Sequence, residues 1–170
     1  MKKLKGDLLT VKKGYICHQV NVEGVMGAGI ALQIKRKWPE VYEQYKSLCG
    51  VDHNLLGNAQ IISVVGNCTL NVINLFGQRL NTGYERPTRY DAVADAFKWL
   101  YEFALPSNGG SSLYIPRLMG CDRGGGEWPI YLSIVTHYFP QVNVVDYEQG
   151  KEVYDPKNSE GWHNYKNITI

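Results

Sequence analysis

The chain has almost no net charge: 18 basic residues stand against 16 acidic ones, a formal charge of +2. That gives a polyanion no strong long-range field to follow. The clusters Lys2-Lys3, Lys12-Lys13 and Lys35-Arg36-Lys37 read as solvated surface, with nucleic-acid contact as the alternative. No apolar run approaches the ~18 residues of a membrane span, and no hydrophobic signal segment opens the chain. Cysteines at 17, 49, 68 and 121 form no CxxC pair, and histidines at 18, 53, 137 and 163 show no zinc-ligand spacing. Reduced thiols, a cytoplasmic location, no metal and no cofactor are therefore expected. Asn67-Cys68-Thr69 and Asn167-Ile168-Thr169 read as chance sequons. The GxGxxG of a dinucleotide-binding turn is missing, and so is a lysine closing a GxxxxGK phosphate loop.

What is present is 44% hydrophobic and 12% aromatic over 170 residues, enough for one sizeable core. In "YICHQV" Ile16, His18 and Val20 share one face of a strand, and Tyr15, Cys17 and Gln19 the other. "GIALQIKRKW" has helical spacing at 30, 31, 34 and 38; Pro39 breaks it, and a second helix continues over 40–49. "NAQIISVVG" and "TLNVINLFG" are β-branched strands flanking a Gly66-Asn67 turn. A polar loop over 78–86 precedes Pro87 and a helix over 90–104. After the loop "PSNGGSS", the segments "LYIP", "PIYLSIVTHYF" and "QVNVVDY" read as strand, helix and strand. Strands alternating with helices predict an α/β sheet covered on both faces. Residues 1–150 are expected to form one domain, with the tail 151–170 packed on it through Tyr154, Trp162 and Tyr165.

Two strand-to-helix junctions are rich in glycine. Gly24, Gly27 and Gly29 precede the first helix, and Gly120, Gly124, Gly125 and Gly126 precede the last. Bare backbone in front of a helix N-terminus suits an anion, and two such loops suit two linked phosphates. The competing reading for each glycine is a tight turn with positive φ. Asp122 and Glu127 beside the second loop either cap the helix that begins near Trp128 or act on a sugar or a water.

The segments "GDLL" (6–9), "HQVNVEGVMGAGIA" (18–31), "NLFGQ" (74–78) and "IPRLMGCDRGGGEW" (115–128), in that order, resemble the macrodomain family, which binds ADP-ribose. The resemblance implies a three-layer α/β/α fold with a mixed central sheet of about six strands. It assigns Asp7 and Leu8 to the adenine pocket, Asn21 to the distal ribose, and Gly27, Ala28 and Gly29 to the first phosphate loop. Gly124, Gly125 and Gly126 match the second phosphate loop, and Tyr147 matches a residue near the adenine. The branch it resembles contains the yeast-type ADP-ribose 1″-phosphate phosphatase and the terminal ADP-ribose glycohydrolase. His18 matches the phosphatase-like members. Glycohydrolase relatives use a lysine on the strand matching Ile73–Gln78, where this chain has none.

The expected activity is hydrolysis of ADP-ribose 1″-phosphate. His18 would act as acid/base or orient the water, Asn21 would position the ribose, Asp122 is the reserve base, and Gln78 contacts the distal end. Removal of ADP-ribose from protein or nucleic acid is the second reading, and non-enzymatic reading of ADP-ribose the third. The expected partners are ADP-ribose or its 1″-phosphate and ADP-ribosylated macromolecules, with no membrane; a monomer is expected.

Overall fold

The computed structural model describes residues 1–80, 86–105 and 112–159. The loop "PSNGGSS" apart from Ser112, the middle of the loop 78–86, the second sequon, His163, Trp162 and Tyr165 lie outside the described residues.

Six strands form one sheet: β1 (Lys2–Gly6), β2 (Gly14–Asn21), β3 (Ala59–Val64), β4 (Asn67–Gln78), β5 (Leu113–Pro116) and β6 (Asn143–Tyr147). Their order is β1-β6-β5-β2-β4-β3, with every pair parallel except β3–β4. The sheet is mixed, as the resemblance implies, and five strands point their carboxyl ends at one rim.

Helices cover both faces, giving three α/β/α layers. On one side lie α1 (Gly29–Lys37) and α2 (Pro39–Val51). Ile34, Trp38 and Val41 pack there on Ile16, Leu70 and Val72, while Tyr45 packs on Val20 and Phe76. On the other side lie α3 (Tyr90–Trp99) and α4 (Trp128–Tyr138), whose Val93, Phe97, Tyr131 and Val135 bury Cys17, Ile73, Leu75 and Ile115. Period-two alternation in β2 and β4 thus feeds two separate cores. Pro39 restarts the helix at the first position of α2, where its missing N–H has no bond to lose. A wide π turn over Leu100–Ala104 extends α3, with Leu105 N–H reaching back to the Leu100 carbonyl. A short α5 (Pro156–Ser159) follows the last strand.

β1 is not among the strands read from the sequence. "KKLKG" offers only Leu4 to the core, and its pairing comes from β6. Its outer edge is covered by the tail: Lys5 and Tyr154 exchange N–H···O bonds of 3.0 and 2.9 Å. An edge that would otherwise be open is closed in this way.

Candidate functional site

Between the carboxyl ends of β2, β4 and β5 lies a cleft of ≈ 420 Å³. One wall is the first glycine loop and the start of α1, residues 25 and 27–31; the other is the second loop, residues 116–120 and 122–124. Gln19, Asn21 and Gln78 line the cleft between these walls. Such a crevice at strand carboxyl ends is where α/β sheets bind ligands.

Asn21 holds the first wall in shape. Its Oδ1 accepts from the N–H groups of Glu23 (3.0 Å) and Val25 (3.1 Å), and its Nδ2 donates to the Val25 carbonyl at 2.6 Å. The Tyr45 hydroxyl lies 2.8 Å from both the carbonyl and the side-chain oxygen of Asn21. Asn21 lines the cleft, but its amide is engaged by its own loop. Glu23 ties the same loop across the cleft by accepting from Leu80 N–H at 3.1 Å.

Beyond that loop, Ala28 stands at the cap position before α1, with no side-chain cap and no acidic residue in the first turn. Its N-terminal amides therefore present an uncompensated positive end to the cleft. Gly29 has φ +54°, which accounts for that glycine. Gly27 is different: its φ is not positive, and among the described residues an added Cβ would meet only Val25 Cγ1, at 3.7 Å. Nothing among the described residues requires Gly27 to be bare.

The second loop is built otherwise. A Cβ on Gly124 would lie 2.4 Å from both the Gly120 carbonyl oxygen and Thr88 Oγ1, and one on Gly126 would lie 2.7 Å from the same carbonyl. Gly125 has φ +65°. These glycines are required by the packing of their own loop, and of the three only Gly124 lines the cleft. Leu118 at the rim has φ 64° and is 45% exposed, an unusual conformation for a branched side chain. Glu127 precedes α4 but makes no side-chain cap; its N–H donates to the Tyr90 hydroxyl.

His18, expected as the acid/base, is placed by the fold beneath the cleft floor rather than in its lining. Its side chain is 0% exposed and does not line the cleft. His18 Nε2 meets Asn74 Oδ1 at 2.7 Å, Asn74 Nδ2 donates to Gln60 Oε1 at 3.1 Å, and Gln60 Nε2 donates to the Gln44 carbonyl at 3.3 Å. This ladder runs across β2, β4 and β3 to α2. Because the Asn74 amide nitrogen points at Gln60, its oxygen accepts from His18, so Nε2 carries the ring proton. Burial pulls the imidazole pKa from 6.5 to about 4, against a smaller opposing effect of the Asn74 bond. His18 is a neutral cross-strand link beneath α2.

Asp7 and Leu8 do not line the cleft either. Asp7 Oδ1 accepts from Leu9 N–H at 2.9 Å and caps a 3-10 turn, while Leu8 is buried in the core. Asp7 nevertheless follows β1 directly, and Gly6 pairs with Tyr147, which is 56% exposed. These residues occupy the far end of the rim that holds the cleft. Asp122 lines the cleft and is the one carboxylate among its described lining residues; Arg117 and Arg123 line it too. Gln19, Thr88 and the two arginines were not singled out from the sequence. Gln19 carried one signal: a long polar side chain near the strand end, on the face it shares with Tyr15 and Cys17. Among the described residues no three His, Cys, Asp or Glu side chains gather as a metal site.

No family model matches the chain. A DNA ADP-ribosyl glycohydrolase of Mycobacterium tuberculosis is 48% identical over 143 residues, 83% of this chain and 39% of that protein. An ADP-ribose 1″-phosphate phosphatase of Candida albicans is 38% identical over 64 residues, 35% of this chain and 41% of that protein. The chain thus spans about two fifths of the length of these curated relatives. Among solved structures, the macrodomain of Mycobacterium tuberculosis DarG superposes with a TM-score of 0.63 at 26% identity, covering 85% of this chain and 94% of that one.

Proposed function

Because the chain belongs to the macrodomain family, we propose that it binds ADP-ribose along this rim and hydrolyses the bond joining ADP-ribose to DNA. The diphosphate lies against Gly27, Ala28 and Gly29 at the bare N-terminus of α1. The adenine extends towards Asp7 and Tyr147, and the distal ribose faces Gln78 and the second loop. Asn21 acts by fixing the first loop around the diphosphate.

The observation that carries the hydrolytic reading is Asp122, a carboxylate lining the cleft from which His18 is absent. Cleavage of a glycosidic bond passes through a cationic sugar centre, and a carboxylate stabilises that charge or takes the proton of the attacking water. Water adds to C1″, the bond to the nucleic acid breaks, and the released group takes up a proton. Breaking a phosphate monoester would set the same carboxylate against an anionic group.

The likeness to the mycobacterial glycohydrolase covers most of the chain and supports DNA as the macromolecule. The placement of arginine agrees. Every arginine except Arg36 follows a strand end at this rim or lies on the adjoining loops: Arg79, Arg86, Arg89, Arg117 and Arg123. Such a surface suits a phosphate backbone leaving the cleft.

Two observations keep phosphatase activity as a second reading. Gln78 stands on the strand where glycohydrolase relatives carry lysine, and a shorter likeness to the fungal phosphatase exists. Release of ADP-ribose from a modified single-stranded oligonucleotide, run beside phosphate release from ADP-ribose 1″-phosphate, separates the two. Asp122→Asn is expected to slow the first reaction by about 10²–10⁴-fold, the usual weight of a general acid/base. Phosphate release without oligonucleotide cleavage would replace the glycohydrolase with the phosphatase.

A further inference from the structure

The floor of the cleft contains a chain of hydrogen bonds whose direction is fixed at one end. Thr88 Oγ1 lies 2.8 Å from the Gly120 carbonyl, Gln19 Nε2 lies 2.8 Å from Thr88 Oγ1, and the same nitrogen lies 2.7 Å from Gln78 Oε1. Thr88 is fully buried and Gln19 is nearly so.

A carbonyl oxygen only accepts, so the single hydroxyl hydrogen of Thr88 is committed to Gly120. Thr88 can then only accept from Gln19, which makes the amide atom of Gln19 facing it the NH₂ group. The second hydrogen of that NH₂ goes to Gln78, so the atom of Gln78 that faces inwards is its oxygen. The order follows from the Gly120 carbonyl and does not depend on how either amide is assigned. Gly126 N–H also donates to Gly120 O at 2.9 Å, which fixes the anchor. The cost is visible on Gln19: its Oε1 is buried without a partner among the described residues. That oxygen fits between Gly77 and Gly120, where added Cβ atoms would meet it at 2.7 and 2.8 Å.

We infer that this relay makes Gln78 an obligate, uncharged hydrogen-bond donor to the ligand, with Gln19 and Thr88 as the positioning residues that set its polarity. With Oε1 turned to Gln19, the Gln78 NH₂ is left to the cleft, and among the described residues it has no protein partner. The group it meets must accept: an oxygen of the distal ribose or of the bond being broken. The inference rests on the proposed function for the identity of the ligand. It adds a donor that, unlike a lysine ammonium, does not titrate and places no net charge beside the sugar centre.

Side-chain amide exchange followed by ¹⁵N NMR tests the polarity without any ligand. The Gln19 NH₂ hydrogens are expected to exchange slowly, and those of Gln78 quickly until ADP-ribose is added. Thr88→Val, which keeps shape but loses the hydroxyl, removes the protection of Gln19, and Thr88→Ser restores it. In calorimetry Thr88→Val weakens ADP-ribose binding by about 2- to 10-fold, the weight of one hydrogen bond, and Thr88→Ser recovers it. Gln19→Glu supplies a second route should Thr88→Val not fold. A carboxylate there can only accept, so Gln78 must turn its NH₂ inwards, where its exchange becomes slow and binding falls.

Protection found on Gln78 in the wild type, or unchanged binding by a folded variant with a broken relay, overturns the inference. Wild-type protein that fails to bind ADP-ribose while Gln19 stays protected overturns the proposed function and leaves the relay standing.

Discussion

A methyl group placed on Gly27 and, separately, on Gly124 distinguishes a glycine kept for a ligand from one kept for the fold. At Gly124 the new Cβ lies 2.4 Å from the Gly120 carbonyl oxygen and from Thr88 Oγ1. Carbon atoms sit comfortably at ~3.5 Å from their neighbours, so one of these groups must move by about 1 Å. Both are tied: Gly120 O accepts from Thr88 and Gly126, and Thr88 N–H donates to the Gly124 carbonyl at 2.9 Å. Overpacking of this kind costs about 1–3 kcal/mol, a fall in Tm of roughly 2–12 °C at this chain length. At Gly27 the nearest atom among the described residues is 3.7 Å from the new Cβ and φ is not positive. There alanine removes unfolded-chain freedom and stabilises by about 0.4–1 kcal/mol. The methyl group stands where the diphosphate is proposed to lie, so ADP-ribose affinity should drop by about tenfold or more, roughly 1.4 kcal/mol. Thermal unfolding and calorimetry on both variants read the two effects. A Gly27→Ala protein that melts lower yet binds as well as wild type would refute the reasoning.

His18 gives two further expectations. Its pKa falls from 6.5 in the unfolded chain to about 4 in the fold, so between these values the unfolded chain holds a proton that the native state does not. Stability therefore declines as pH falls through that window, by about 3 kcal/mol in full. Urea unfolding at pH 7 and pH 4.5 should show a decline that His18→Gln, which cannot titrate, largely removes. At neutral pH the same variant should keep turnover within about tenfold of wild type; a drop of ~10²–10⁴ would return His18 to the chemistry. Tyr45→Phe removes the hydroxyl that reaches Asn21, so it should cost about 1 kcal/mol in unfolding and weaken ADP-ribose binding several-fold.

Much of the architecture was legible because apolar period and glycine placement agree with the final packing. Ile16, Cys17 and Val20 announce β2, and Pro39 marks the break between α1 and α2. The regular spacing from Tyr90 onwards gives α3, although the widening of its last turn over Leu100–Ala104 left no mark in that spacing. β1 was not legible, since three lysines surround its one core leucine and its partner lies about 140 residues away. His18 was correctly assigned to the face of Ile16 and Val20, but its partner Asn74 is a tertiary neighbour that spacing within β2 cannot reveal. The second glycine cluster is ambiguous in the sequence for a related reason. A glycine needed for close packing, for positive φ or for a ligand is the same letter, and only the distances around Gly124 and Gly126 separate the cases.

The pairing of β1 with β6 bears on how the sheet is completed during synthesis. Lys2–Gly6 leave the ribosome before the other strands of this sheet, yet their parallel partner Asn143–Tyr147 and the covering Tyr154 emerge about 140 residues later. At ~5–20 residues per second the opening strand waits roughly 7–30 s for them. The β2–β4 pair, with Asn21 and Gln78 at its end, is available by residue 78. A nascent chain therefore owns the strands that hold the glycine cradle well before it can set Asp7 at the other end of the rim. The last sheet contact to form is also the longest in sequence, the kind that slows folding most. A chain halted short of residue 143 would carry half a rim and a free, lysine-rich leading strand.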